Sequence, residues 1–134
     1  MRSLTASRAS RMAIRMGVSA TLAVSGVIHA YLYVQGYSHI PTIGPAFLLQ
    51  AIVFCVLAVL ILAGGPWWLQ WVGGAGAFGS LIAFALSRTV GLFGFIERGW
   101  EPSPQAALSV IAEVLTVVLA IATAPSRHSK SPTM

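Results

Sequence analysis

Long apolar runs, broken at intervals by small clusters of glycine, proline and charge, make up most of this chain. Four of the runs reach the roughly 20 residues that an α-helix needs to cross the hydrocarbon core of a bilayer. They are residues 14–34, 43–62, 67–86 and 105–123. Small and polar residues recur within them at three- and four-residue steps: Ser19, Ala23, Gly26, Ala30 and Tyr33 in the first span; Gly73, Gly76, Ser80, Ala83 and Ser87 in the third; Ala106, Ser109, Glu113, Thr116, Ala120 and Thr123 in the fourth. The helical period of 3.6 brings such positions onto one face. Lipid offers helices no hydrophobic drive to associate, so close backbone approach across small residues supplies it, usually at a left-handed crossing of about +20°. The predicted fold class is therefore all-α, an integral membrane four-helix bundle. The glycine-rich GGAGAFGS makes the third span the expected central helix, and the same surface suits a homodimer.

Composition agrees with the pattern. The chain has 134 residues, of which 57% are hydrophobic and only 8% charged, and its mean hydropathy of +0.83 lies outside the soluble globular range. The charges add an orientation. Arg2, Arg8, Arg11 and Arg15 lie at or before the start of the first span, and Arg127 and Lys130 follow the last. With an even number of spans both tails, residues 1–13 and 124–134, share one side, and the positive-inside rule makes that side cytoplasmic in the cell membrane. The net charge of +5 is thus an orienting signal that can touch anionic lipid. No nucleic-acid-binding motif accompanies it, so no nucleic-acid partner is expected. The opening MRSLTASRASRMAIR also has the flavour of a signal or transit peptide. It is read as an uncleaved signal anchor, because the apolar run after it is long for a signal peptide.

The connections divide unequally. AGGPWW joins the second and third spans tightly, with Trp67, Trp68 and Trp71 placed for the aromatic belt. On the other, outer side lie GYSHIPTIGP and the partly apolar SRTVGLFGFIERGWEPSP. In the second of these, Leu92, Phe93, Phe95, Ile96 and Trp100 are too apolar for a solvated linker. This loop is expected to lie back on the membrane or bundle as a lid, or to offer Phe93, Phe95, Glu97, Trp100 and Glu101 as a docking patch for another membrane subunit.

Glu113 is the one acid within an apolar run, LSVIAEVLTVVLAIA. It lies on the packing seam between Ser109 and Thr116, opposite Val114, Leu115, Val118 and Leu119, so it is expected to point into the bundle. At about 1.5 Å rise per residue it sits near the midplane, with His29 and Gln50 about 5 Å further out. Arg88 ends the third span on the same side, and Ser25 and Tyr33 flank His29 by one turn. An intramembrane polar cluster of His29, Gln50, Arg88 and Glu113, opening outward, follows. Charge inside a membrane is costly unless paired or neutralised, so such groups either brace the helices or form an ion, proton or ligand site. Arg88 can turn inward to Glu113 or outward to Glu97 and Glu101.

Other chemistries find little support. Cys55 is the only cysteine, which leaves no disulfide or redox pair. Only His29 among the histidines lies in a span, against the paired axial ligands of a membrane cytochrome; His39 is in a loop and His128 on the opposite side. Phosphate-loop, dinucleotide, zinc-protease and nucleophile-elbow motifs are missing. No cofactor, metal site or enzymatic activity is expected.

The segments HAYLYVQGYSHIPTIGPAFLLQ and GLFGFIE, followed by a glutamate in the last span, resemble a family of small, uncharacterised four-span bacterial membrane proteins. The resemblance covers residues 17–122 and rests on His29, Ile40 and Pro41, Phe47 to Gln50, Gly91 to Phe95, and Glu113. It implies the architecture and carries no activity. The function expected is that of a non-catalytic accessory or structural subunit of a larger membrane assembly; the alternative is a proton-linked small transporter or channel using His29 and Glu113. The partners expected are the lipid bilayer and either other membrane subunits or a second copy of the chain.

Overall fold

The computed structural model describes residues 2–123, so the expected tail at 124–134, with Arg127, His128 and Lys130, lies outside the described residues. Four helices dominate: α1 (Arg2–Gln35), α2 (Ile43–Leu62), α3 (Trp68–Arg88) and α4 (Gln105–Ala122). A 3-10 turn, Tyr37–His39, links α1 to α2. The described residues contain no strand, only an isolated bridge between Leu92 and Phe95. All four helices are long and apolar enough to cross a membrane, which fits a multi-pass membrane protein.

Helix α1 is longer than the expected span because residues 2–16 contain neither glycine nor proline, and nothing breaks the helix before the apolar run begins. Its Arg15 has a second role beside its positive charge. Nη1 donates to the carbonyls of Ile61 and Gly65, each at 3.1 Å, where α2 ends. That end is a glycine cap: Gly64 adopts φ +95°, the Gly64 amide donates to Ile61 O at 3.1 Å, and the Gly65 amide to Leu60 O at 2.9 Å. The tight turn into α3 follows, and this end of the molecule is called the short-turn end below. The opposite, long-loop end carries residues 36–42 and 89–104.

Helix α1, and not the glycine-rich α3, packs most extensively: it lies against both α2 and α4 and also meets the 3-10 turn, whereas α3 packs chiefly on α4 and only lightly on α1 and α2. Its contact face runs through Val18, Leu22, Ser25, His29 and Leu32, all buried, while Ala30 of the expected seam is exposed. The small-residue notches of α3 are filled from different helices: Leu22 of α1 seats against Gly73, and Phe54 of α2 against Gly76. Gly74 meets Ala120 of α4 so closely that a Cβ added there would lie 2.6 Å from the alanine methyl. Gly79, by contrast, faces open space, and α3 is the least buried of the four. A glycine run thus permits close approach on any side but does not make a helix central; the bulky partner that fills it does. On α4, Ala106, Ser109, Glu113, Thr116 and Ala120 are buried as the seam predicts. Leu119, expected on the lipid side, packs against Gly17.

The interior has two halves. Val18, Leu22, Phe54, Leu57, Ala58, Ile61 and Ala77 form an apolar core toward the short-turn end. Buried polar residues occur in both halves, Ser19, Gln70 and Thr116 among them, but toward the long-loop end Ser25, His29, Ser109 and Glu113 gather in one place, and there the site lies.

Candidate functional site

Glu113 is 2% exposed, and its Oε1 accepts hydrogen bonds from all four helices. Ser25 Oγ of α1 donates at 2.9 Å, Gln50 Nε2 of α2 at 3.1 Å, Ser80 Oγ of α3 at 2.8 Å and Ser109 Oγ of α4 at 3.0 Å. Gln50 Nε2 also donates to Ser80 Oγ at 2.8 Å, so the shell is internally connected. Every partner is a donor, which complements an oxygen that only accepts. The helices bring this about through register: Ser109 lies one turn before Glu113 on its own helix, and each other donor sits at the level of the same carboxyl. Among the described residues none donates to Oε2.

His29 reaches this shell through Ser25. Its Nδ1 lies 2.8 Å from the Ser25 carbonyl oxygen, which can only accept, so Nδ1 carries a proton and donates it. Ser25 Oγ is 3.5 Å from the same nitrogen. In the neutral ring Nε2 is then a free acceptor, without a hydrogen-bond partner among the described residues. The ring packs edge-on to Phe47, with centroids 4.8 Å apart.

Above these groups lies a partly open cavity of about 120 Å³. Glu113, His29, Gln50, Ser80 and Ser109 line its deep end, and Phe47, Phe84, Leu92 and Phe95 contribute apolar walls. Its outermost lining residues, Tyr37, Arg88 and Pro102, are only half-buried.

The 89–104 segment folds back over the end of α3 to complete the walls. The Glu97 amide donates to Ser87 O at 2.9 Å. Leu92 and Phe95 exchange backbone hydrogen bonds of 2.9 and 2.8 Å around Phe93 and Gly94, whose φ values of 49° and 77° make a two-residue turn of the primed type. That turn leaves Phe93 exposed and Phe95 inward, edge-on to Tyr37. Tyr37 also stacks on Phe47 at 4.7 Å and donates its hydroxyl to Glu97 Oε2 at 2.9 Å, so the two long-loop connections are joined over the cavity. Burial first, and the Glu97 hydrogen bond and charge second, push the Tyr37 phenol well above its ordinary range.

Among the residues singled out from sequence, Gln50 touches Glu113 directly, and His29 reaches it through Ser25. Arg88 lines the same cavity but spends its donors at the rim. Nε donates to Gly99 O at 3.2 Å, Nη1 to Ser87 Oγ at 2.6 Å, and Nη2 to Glu101 O, while its guanidinium lies over the Phe84 ring at 4.0 Å. It turns to the outer loop, using backbone carbonyls where carboxylates were expected. Trp100 and Glu101 are exposed, with Trp100 tilted against Phe84. Tyr33, placed beside His29 in sequence, takes no side-chain part in the shell. Tyr37 was the residue missed, since a loop tyrosine carries no periodicity that would place it.

Among the described residues no group of three His, Cys, Asp or Glu could hold a metal ion. Comparison with known families, curated proteins and solved structures found no match.

Proposed function

We propose that the protein is a four-helix bundle of the plasma membrane, with both termini cytoplasmic, that takes a small solute into an outward-facing cavity and links its binding to protonation of Glu113. The observation that carries this reading is a partly open cavity ending on a buried carboxyl with one oxygen uncommitted. Here a four-donor shell fixes one oxygen and leaves the other for a guest or a proton. Below the site, Val18, Leu22, Phe54, Leu57 and Ile61 pack the interior toward the short-turn end, interrupted by the buried Ser19, Gln70 and Thr116. The titratable and charged groups sharing the cavity are His29 on α1, Tyr37 on the 3-10 turn and Arg88 on α3; α2 contributes the neutral Gln50.

Infrared difference titration of the purified protein tests this. The expected result is a protonated-carboxyl band that appears reversibly on acidification and is missing from Glu113→Gln. A Glu113 that does not respond to pH before the protein unfolds contradicts the proposal.

A second reading, an accessory subunit or homodimer, is favoured by the open face around Gly79 on α3, where a partner helix could approach closely. Phe93 and Trp100 are exposed as well, at the outer loop. Cross-linking from Gly79→Cys in native membranes, in a Cys55→Ser background, tests it: an adduct to a second chain supports it, and none speaks against it.

A further inference from the structure

We infer that the guest of the Glu113 cavity is a small primary ammonium ion with an apolar body. This rests on the reading of the cavity as a solute site and assigns the chemistry of that solute. Among the described residues, three acceptor atoms of the residues at the deep end have no hydrogen-bond partner: Glu113 Oε2, Gln50 Oε1, whose amide spends only Nε2 on the shell, and, because Nδ1 is the donor to Ser25 O, His29 Nε2. All of them accept. A guest that satisfies them must bring several N–H or O–H donors, and a primary ammonium brings three on a single atom. Its positive charge is also the natural partner of a carboxylate held by donors alone.

The alternatives fit less well. An anion would meet lone pairs at the floor, with the nearest guanidinium already turned to Ser87 Oγ and the carbonyls of Gly99 and Glu101. A transition metal would find a single carboxylate and a single imidazole, fewer than its preferred shell requires. A quaternary ammonium has the charge but no donor. The walls set the remainder of the guest. Phe47, Phe84, Leu92 and Phe95 offer an apolar, largely aromatic lining, and the volume of about 120 Å³ is close to that of engineered apolar cavities that hold benzene. A body of about four to six carbon atoms fills such a space.

The test uses the full-length protein in detergent with n-butylammonium, tetramethylammonium, butanol and butyrate as probes, read by the shift in unfolding temperature and by calorimetry. Butylammonium is expected to raise the Tm in a saturable way. Butanol, which keeps a donor but loses the charge, is expected to bind about tenfold more weakly, and tetramethylammonium and butyrate not measurably. Glu113→Gln is expected to remove the butylammonium shift. Ala83→Phe, which fills the cavity from its wall without touching the carboxyl, is expected to do the same, so the result stands even if one variant folds poorly. Butyrate binding as well as butylammonium, or no shift with butylammonium, overturns the amine assignment. If Glu113 still titrates in the infrared experiment, that failure belongs to the ligand class alone; if it does not, the reading of the site fails first.

Discussion

Ser25 Oγ on α1 donates to Glu113 Oε1 on α4 across 2.9 Å, joining residues 88 positions apart in the chain. With Gln50 and Ser80 on the remaining helices, the same oxygen becomes the point at which all four helices are tied. Hydrogen bonds between membrane helices are individually modest, commonly below about 1–2 kcal/mol. Their convergence matters more here than their strength, because it fixes the carboxyl while leaving Oε2 free.

Glu113→Gln keeps an acceptor at Oε1 and can turn its amide toward the cavity, so the fold is expected to persist with little change in Tm. Glu113→Leu leaves Gln50 without its acceptor on Glu113 and sends the serines back to their own helix carbonyls, at a cost of about 1–3 kcal/mol. Thermal unfolding in detergent compares them; a Leu variant as stable as the wild type would mean that the shell does not hold the helices.

Tyr37→Phe removes the bond between the two long-loop connections and is expected to raise hydrogen exchange in residues 89–104 while leaving the spans protected. The pH dependence has a definite sign. The phenol is raised in the folded protein above its ordinary 10.0, so its contribution is complete below that pH and is lost as pH climbs from there toward the higher folded value. Alkaline loosening of the lid should therefore be present in the wild type and missing in Tyr37→Phe, as exchange or limited proteolysis would show.

Gly74 and Gly79 are five residues apart on the same helix and should behave oppositely. Gly74→Ala forces a methyl into Ala120, and an expected loss of about 1–3 kcal/mol follows from overpacking two rigid backbones. Gly79→Ala meets nothing and gains up to about 1 kcal/mol of helix propensity. Equal unfolding temperatures for the pair would contradict the α3–α4 contact described above.

Orientation is checked by reporter fusions at Ser38, Gly65, Gly99 and Thr133. Signals outside the cytoplasm at Ser38 and Gly99, and inside at Gly65 and Thr133, are expected; an extracytoplasmic signal at Thr133 contradicts a cytoplasmic C-terminus.

The number of long apolar helices and the inward direction of Glu113 were legible in the sequence because both follow from run length and the 3.6-residue period. The α4 seam, from Ala106 through Ala120, is buried as that period dictates. What was not legible depends on neighbours. Ser80 and Ser109 stood on their seams as small residues, and only the mutual register of the helices makes them donors to one oxygen. The centrality of α1 was hidden because glycine content reports where a helix can be approached, while the approaching group, Leu22, is an ordinary leucine in an apolar run. Arg88 had three carboxylates to choose from in the sequence, Glu97, Glu101 and Glu113, yet the fold of residues 89–104 presents the carbonyls of Gly99 and Glu101 to it. Tyr37 lies outside any periodic element.

Sided thiol labelling of Ala83→Cys in a Cys55→Ser background tests most directly whether the cavity over Glu113 opens outward. Position 83 lines the cavity and the other cysteine is removed. A small, membrane-impermeant thiol reagent added to the outer face of intact cells is expected to label it, and n-butylammonium to slow the labelling. Labelling only from the cytoplasmic face, or from neither face, would contradict the account.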